Sequence, residues 1–241
     1  MIVSVIEEAV LRKVKSLRTP ASSYVLDVPC GSGALSAGLI QMGFNVCAAD
    51  VDPSLQAVLK DHFRSVDLNE ESLPWPDGTF DVVCSIEGIE HLEDPHHFLR
   101  DIHRVLRPEG RLILTTPNVV SLRSRVRFFG SGFFHKDPRP LNETARHPLH
   151  HIGLRSFPML RYDLHTTGFS LEEVACSHTK SISWPYAIFV PWMWLYTFIA
   201  FRKEKDPAQR TRNREIRRAM FSRAVLFGEN LVLVARKRIE R

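Results

Sequence analysis

The stretch VLDVPCGSGALS at residues 25–36 decides the fold. Its apolar start ends in Asp27, a glycine-rich turn follows, and the pattern then becomes that of a helix. A strand that passes through such a turn into a helix brings backbone N–H groups and a helix N-terminus to one place, where a ligand can bind. Gly31 and Gly33 let that ligand approach the backbone closely. We therefore predict a ligand site at this turn.

Strand-like and helix-like segments alternate along the rest of the chain. Strands are predicted at residues 24–28, 45–49, 64–66, 80–85, 111–115, 169–177 and 230–236, and helices near the N-terminus and at 33–42, 53–62, 95–106 and 156–167. This order is typical of an α/β fold with a doubly wound, mostly parallel seven-stranded sheet, which is a Rossmann-like arrangement. We interpret residues 1–241 as a single domain in which residues 180–229 form an apolar and basic insertion before the last strand.

The turn favours one kind of nucleotide ligand. A dinucleotide site requires GxGxxG, and Ser36 stands where the third glycine is needed. A carboxylate at Asp27 suits a cation, such as the amino group of an amino acid, better than a pyrophosphate. Asp50 ends the second predicted strand, where an acid accepts hydrogen bonds from ribose hydroxyls. A ribose with an amino-acid tail and no phosphate describes S-adenosylmethionine.

With these features the chain resembles the class I S-adenosylmethionine-dependent methyltransferases, and in particular the methyltransferase type 11 and type 12 families. It is also similar to the quinone-biosynthesis O-methyltransferases. The resemblance covers roughly residues 24–169 and the last strand. It is carried further by DGTFDVV at 77–83, EGIEHLEDP at 87–95 and VLRPEGRLILTTPN at 105–118. The family usually reads DxGxGxG at the turn, and this chain has Pro29 at the first glycine. Proline fixes φ and removes an N–H, so the turn is expected to be shifted.

The resemblance implies how the cofactor S-adenosyl-L-methionine would be held. Asp27, Gly31 and Gly33 would hold its methionine end, and Asp50 would hold the ribose. An acid and an apolar residue after the third strand would lie against the adenine. The full predicted set of cofactor-binding residues is Asp27, Gly31, Ser32, Gly33, Asp50, Val51, Asp67, Leu68 and Ile86.

The EGIEH segment carries a second set of candidates. Glu87, Glu90 and His91 are spaced i, i+3, i+4 and would share one face if the segment were helical. Two carboxylates and an imidazole can bind a divalent cation. A similar ExxEH occurs in small-RNA 2′-O-methyltransferases and in quinone-biosynthesis O-methyltransferases, where it is associated with a metal and with a later histidine, best matched here by His151. Mg²⁺ or a similar ion would lower the pKa of a substrate hydroxyl.

A metal-free polar site is the alternative. In that interpretation Glu87 lies near the cofactor and His91 packs or acts as a general base, and a purely structural role is a third possibility. The predicted catalytic residues are His91, Glu87 and His151, and the predicted metal ligands are Glu87, Glu90, His91 and His151.

Residues 182–201 read ISWPYAIFVPWMWLYTFIAF and carry no charge. Their length permits a membrane span, but the strands on either side should belong to one sheet. Residues 202–223 hold nine basic and three acidic residues, a net charge of +6, which would attract anionic headgroups. We therefore predict that residues 182–223 lie in the plane of a membrane. A lid over an apolar pocket, a dimer interface and a nucleic-acid-binding arm are the alternatives.

The chain as a whole has a formal net charge of +5 and four cysteines without a CxxC pair. Reduced thiols are typical of a cytoplasmic protein, and the N-terminus does not read as a signal peptide. We expect a methyltransferase that O-methylates a small-molecule, apolar or lipid-linked substrate at the cytoplasmic membrane face, with nucleic acid an unlikely partner. A metal-dependent RNA 2′-O-methyltransferase and a non-catalytic, membrane-associated, cofactor-binding module remain open. The sequence does not predict the oligomeric state.

Overall fold

The computed structural model describes residues 3–20, 22–55, 59–137, 139–144 and 147–239. The strands are β1 (Tyr24–Asp27), β2 (Asn45–Asp50), β3 (Phe63–Ser65), β4 (Phe80–Ile86), β5 (Leu106–Pro117), β6 (Phe169–Cys176) and β7 (Asn230–Lys237). The helices are α1 (Val5–Ser16), α2 (Ala34–Gln41), α3 (Pro95–Val105), α4 (Leu122–Ser131), α5 (Phe157–Thr166), α6 (Val190–Phe201), α7 (Pro207–Met220) and α8 (Arg223–Phe227). Short 3₁₀ segments cover Pro53–Leu55, Lys60–His62, Ile89–His91 and Ser181–Phe189.

The seven strands form one sheet in the order β3-β2-β1-β4-β5-β7-β6. The pairs from β3 to β5 are parallel, and β7 runs antiparallel to both β5 and β6. The central strands are apolar almost throughout, as expected for strands covered by helices on both faces. The predicted doubly wound, mostly parallel seven-stranded sheet is confirmed.

Helices cover both faces of the sheet. On one face, Val10 and Val14 of α1 pack with Leu35 and Leu39 of α2 in one buried cluster. On the other, α3 and α5 contribute Phe98, Ile102, Leu160 and Leu164 to the larger core. These apolar positions recur at three- and four-residue intervals, which puts them on one side of each helix. The sheet therefore exposes only its edges, and the carboxyl ends of its parallel strands are free to form a site.

Two segments differ from the sequence-based prediction. Strand β5 begins at Leu106 and not at 111, so the RPEG stretch lies inside the strand as an irregularity rather than as a separate turn. The register shifts between Phe80 and Val82 of its partner, and Glu109 has φ +65°. The predicted helix at 53–62 includes residues 56–58, which lie outside the described residues, and its flanks are 3₁₀ turns.

The insertion leaves and re-enters the sheet at the same place. Cys176 of β6 pairs with Leu231 of β7, and Thr179 forms a bridge with Gly228. The insertion is fastened to the domain by a cluster in which Leu122, Leu226 and Phe227 are buried. Pro191 falls in the first turn of α6, where proline is well tolerated, so it starts this helix rather than breaking it.

Candidate active site at the carboxyl edge of the sheet

The glycine turn connects β1 to α2. Gly31 and Gly33 have φ values of +50° and +74°, and Gly33 is the residue at which α2 begins. Only glycine adopts such values without strain. A Cβ built on Gly31 meets nothing within 4 Å, so a ligand can reach this backbone. The N–H of Gly31 donates to the Asp50 carboxylate at 2.8 Å, which holds the turn against the end of β2.

Asp27 lies beneath the turn and is almost completely buried. Its Oδ2 accepts a hydrogen bond from the Ser36 hydroxyl at 2.6 Å. Burial raises the pKa of Asp27 to about 7, and the Ser36 hydrogen bond opposes that shift without cancelling it. An ammonium group arriving above the turn would stabilise the ionised form, so this carboxyl fits the amino end of the predicted cofactor.

Pro29 joins the turn to the EGIEH segment. The Val28–Pro29 peptide is cis. The proline ring packs on Gly88, where an added Cβ would lie 2.4 Å from Pro29 Cδ. The proline ring therefore occupies space that is open only because residue 88 is a glycine. Gly31 and Gly33 keep their left-handed conformations in the same turn.

The other predicted cofactor residues follow the ends of β2 and β3. Asp50 also accepts the N–H of Asp52 at 3.1 Å, and its carbonyl accepts the N–H of Val66, which places the next segment alongside. Asp67 Oδ1 accepts the N–H of Asn69 at 2.9 Å, and Leu68 packs on the core. Ser32 and Val51 are exposed, and Ile86 is half-buried at the end of β4. All of these residues line one edge of the sheet, where a nucleoside would lie.

The EGIEH segment is not a continuous helix, so the predicted common helix face is wrong. Glu87 follows β4 with φ +46°, a left-handed conformation, and only Ile89–His91 forms a 3₁₀ turn. Because of the left-handed backbone at Glu87, the side chains of Glu87 and Glu90 do not share one helix face. The two carboxylates therefore have different hydrogen-bond partners.

Glu87 is held by two strands of the sheet. Its Oε1 accepts from the Thr115 hydroxyl at 2.9 Å and its Oε2 from the Asn230 amide at 2.5 Å. Burial raises its pKa, and these hydrogen bonds oppose the shift. Sequence reasoning missed Thr115 and Asn230, because Asn230 is 143 residues away and only the pairing of β7 with β5 brings it here.

Glu90, His91 and His151 form a compact group, the site trio. One ligand atom from each lies within 4.8 Å of those of the others. Glu90 is fully buried, and its Oε2 accepts from the Thr116 hydroxyl at 3.0 Å. Its Oε1 is buried without a hydrogen-bond partner among the described residues. Burial and the neighbouring Glu87 raise the pKa of Glu90, so its carboxyl favours the protonated form.

The two histidines have defined roles in the trio. His91 Nδ1 lies 3.1 Å from the His150 carbonyl oxygen, which can only accept, so Nδ1 carries the hydrogen. His91 Nε2 is then the nitrogen with a free lone pair. The His151 ring centre lies 4.9 Å from that of His91. Burial, with the nearby His91, lowers the pKa of His151, so this imidazole is neutral at physiological pH.

The trio fits a divalent transition metal better than Mg²⁺. Two imidazoles and a carboxylate are typical of Fe²⁺, Mn²⁺ or Zn²⁺ sites, whereas Mg²⁺ prefers oxygen ligands. The partnerless Oε1 of Glu90 would become a ligand atom after losing its proton. The structure brings together three of the four predicted ligands, and the fourth, Glu87, is hydrogen bonded to the sheet instead.

A buried carboxylate next to β7 was also missed by sequence reasoning. Glu229 is 5% exposed, and four cationic or titratable side chains lie 3.3–3.9 Å from its oxygens. They are Arg123, His135, Lys136 and Lys180. Their scattered positions in the chain gave no local signal. The positive charge of Lys136 also acts on Glu87 and Glu90, where it opposes the rise in the pKa of each.

Comparison with known proteins agrees with this geometry. Residues 26–114 match the family described as a methyltransferase domain. A ubiquinone biosynthesis O-methyltransferase of Pseudomonas aeruginosa (strain UCBPP-PA14) is 35% identical over 107 residues, which cover 41% of this chain and 46% of the relative. A Mycolicibacterium smegmatis protein named "Probable S-adenosylmethionine-dependent methyltransferase" is 30% identical over 156 residues, covering 64% of this chain and 54% of the relative.

The fold has similar counterparts among solved structures. An S-adenosylmethionine-dependent methyltransferase from Archaeoglobus fulgidus superposes with a TM-score of 0.56 at 15% identity, covering 96% of this chain and 94% of that one. The chain spans about half the length of the curated relatives it matches. The predicted resemblance is confirmed as a similarity: residues 26–114 match the methyltransferase-domain family, and the fold is that of solved S-adenosylmethionine-dependent methyltransferases.

Proposed function

We propose that this protein transfers a methyl group from S-adenosylmethionine to a hydroxyl group of an apolar substrate. The observation that carries the proposal is the site trio, which His151 completes. Glu90 and His91 follow β4, and the contact of Gly88 with Pro29 joins their segment to the glycine turn. S-Adenosylmethionine supplies a methyl group that is already activated by a sulfonium, so the chain must align the hydroxyl and remove its proton.

The two histidines are the bases in this proposal. Glu90 favours its protonated form because it is buried beside Glu87. His91 Nε2 and the neutral His151 ring can each accept a proton. As the C–S bond of the sulfonium breaks and the C–O bond forms, the hydroxyl proton would pass to one of these nitrogens. Asp27 binds the methionine end of the cofactor and Asp50 its ribose in this scheme, and Asp67 with Leu68 lies at the adenine.

A metal-assisted version of the same reaction is the second candidate. The partnerless Glu90 Oε1 and the two imidazoles favour it. A bound divalent ion would act as a Lewis acid on the substrate hydroxyl, and His91 would keep its orientation through the His150 carbonyl. Removal of metal by a chelator, followed by separate additions of Mg²⁺, Mn²⁺ and Zn²⁺, tests this version. Full activity after chelation would contradict the metal-assisted version and favour the version in which the histidines act as general bases without a metal.

We further propose that the substrate is lipid-linked or otherwise apolar and is met at the cytoplasmic membrane face, with the protein peripheral to the membrane. Two observations support this. A relative is named for ubiquinone biosynthesis, and the insertion exposes many large apolar side chains. An RNA 2′-O-methyltransferase and a non-catalytic cofactor-binding module remain the competing proposals.

One experiment separates these activities. Labelled S-adenosylmethionine is incubated with the protein and with lipid, RNA or protein extracts, and the label is counted in each. Label in the lipid extract supports the proposal, and label in RNA supports the nucleic-acid alternative. Cofactor binding by calorimetry without transfer to any extract indicates the binding module. A His91→Gln/His151→Gln variant that still binds S-adenosylhomocysteine is the matched control, and it should lose transfer.

A further inference from the structure

The insertion presents an unusual apolar surface. Ile188, Trp192 and Tyr196 are 78%, 67% and 67% exposed. Further large apolar side chains in the same segment are exposed, namely Ile182, Trp184, Phe189, Trp194, Leu195 and Ile199. Proteins that stay monomeric in water rarely expose so many apolar side chains together. This surface, residues 181–201, is called the aromatic face below.

A groove lined with arginines lies beside the aromatic face. It has a volume of about 410 Å³ between α6 and α7. Phe198 and Phe201 form its apolar part, and its arginines are Arg202, Arg210, Arg214 and Arg217. Arg217 lies over the rings of Trp194 and Phe198 at 5.5 and 4.9 Å from their centres. These cation–π contacts fix one guanidinium where the apolar and basic surfaces meet.

The acidic residues of this region are occupied elsewhere. Glu204 accepts the N–H groups of Lys205 and Asp206, and Asp206 caps α7. Glu215 pairs with Arg161 at 2.5 Å. Among the described residues, no carboxylate lies within 4.0 Å of a groove guanidinium. The groove thus holds four positive charges without an internal counter-ion.

The arrangement does not suit a span across the bilayer. Ser181–Phe201 is long and apolar enough to cross one. However, Arg217 of α7 lies against α6, and α7 carries further arginines. Burying these charges in the hydrocarbon core of a bilayer would be energetically costly. The ends of the insertion also pair in one sheet. A position in the plane of the membrane keeps the arginines at the headgroups and the aromatic rings at the acyl boundary.

We propose that the α6–α7 groove binds the phosphate of an anionic phospholipid, while the aromatic face enters the headgroup–acyl boundary of the same bilayer. This rests on the membrane-face part of the proposed function. Guanidinium groups match phosphate oxygens in pairs, and Phe198 and Phe201 lie where the start of an acyl chain would follow.

Charge argues for this occupant over others. A second copy of the chain would bring the same four arginines to the interface and would be repelled. Single-stranded nucleic acid is typically bound by aromatic and basic side chains that alternate along one groove. Here most of the aromatic residues lie on α6 and the preceding segment, and most of the arginines lie on α7.

Vesicle co-sedimentation of the full chain tests the proposal. Vesicles of phosphatidylcholine alone are compared with vesicles of phosphatidylcholine and phosphatidylglycerol at 3:1. Each basic residue near such a surface adds about 1 kcal/mol, so Arg210→Gln/Arg214→Gln should weaken binding to the anionic vesicles about 25-fold. Arg12→Gln/Arg100→Gln, on α1 and α3, removes the same charge outside the groove and should stay close to wild type.

Several results would overturn the proposal. These are equal binding to both kinds of vesicle, or equal loss in the two double variants. Displacement by inorganic phosphate beyond that caused by sodium chloride at the same ionic strength would instead support a groove that recognises phosphate. Sedimentation velocity tests for a dimer of the chain. A dimer that dissociates in the Ile188→Ser/Trp192→Ser variant would show that the aromatic face binds a second copy. Calorimetry with S-adenosylhomocysteine distinguishes failure of the groove proposal from failure of the proposed methyltransferase function. The Arg210→Gln/Arg214→Gln variant should bind S-adenosylhomocysteine normally even if it does not bind vesicles.

Discussion

We predict that the buried Asp27 carboxyl makes cofactor affinity dependent on pH. Its pKa is raised to about 7 by burial, so the unliganded protein carries it mostly protonated at pH 6 and mostly ionised at pH 7.5. In the proposed binding mode, only the ionised form pairs with the ligand amino group. The fraction ionised rises about eightfold between these values, and the affinity for S-adenosylhomocysteine should rise by the same factor, or about 1.3 kcal/mol.

The stability of the unliganded protein should move the other way. The neutral carboxyl is the favoured buried form, so its contribution to stability falls as pH rises from about 4, the unfolded pKa, towards about 7, the folded pKa, and is level above that. Between pH 6 and 7.5 the loss from this group is about 1 kcal/mol. Tighter binding together with lower stability over one pH interval is therefore the expected signature of Asp27.

Calorimetric titrations with S-adenosylhomocysteine and urea unfolding, both at pH 6 and 7.5, measure the two effects. Asp27→Asn is the matched control, since it keeps the shape and removes the titration. The variant should bind about 10- to 100-fold more weakly at pH 7.5 and should lose both slopes. Identical pH slopes in the wild type and Asp27→Asn would show that other groups cause them and would refute this reasoning.

Three further predictions concern neighbouring residues. Asp50→Asn should lower cofactor affinity about tenfold or more in calorimetry, while its amide oxygen keeps the bond from Gly31. Glu90→Gln should retain or gain thermal stability at pH 8, because burial and Glu87 make the ionised carboxyl unfavourable there. In the metal-assisted version of the proposed reaction, it should also retain less added metal in elemental analysis and lose activity in the transfer assay. Gly88→Ala should destabilise the protein by about 1–3 kcal/mol in urea unfolding, since its Cβ meets the Pro29 ring, and Pro29→Gly should relieve part of that loss. Additive effects of the last two changes would argue against the contact.

Local patterns predicted the parts of the structure that depend on neighbours in sequence. The strand, glycine turn and helix at residues 25–36 lie where the sequence indicates, because an apolar run, a glycine-rich turn and a helical pattern are each visible in the local sequence. The helical spacing of EGIEH gave a wrong prediction of one common face, because Glu87 has a left-handed backbone. The Glu87 N–H donates to the Thr115 hydroxyl of β5, a contact that the local sequence does not reveal. The strand start at Leu106 was missed for a similar reason, because pairing with Phe80 decides it.

The membership of the trio could be predicted only in part. Glu90 and His91 are neighbours, and His151 was found through the family resemblance. The position of Glu87 could not be deduced, because Asn230 reaches it from the last strand. The anchoring of the insertion is also a long-range effect, with Trp184 stacked on Phe227 at 4.4 Å between ring centres. Such contacts depend on the assembled sheet and leave no periodic signal in the sequence.

The contact between Pro29 and Gly88 has an evolutionary consequence. A proline at 29 forbids any side chain at 88, and a glycine at 29 removes that restriction. Substitutions at the two positions should therefore be correlated, so that proline at 29 occurs only together with glycine at 88. A lineage could replace the usual glycine of its cofactor turn only after its second motif had become glycine at 88, which orders the two mutations in time.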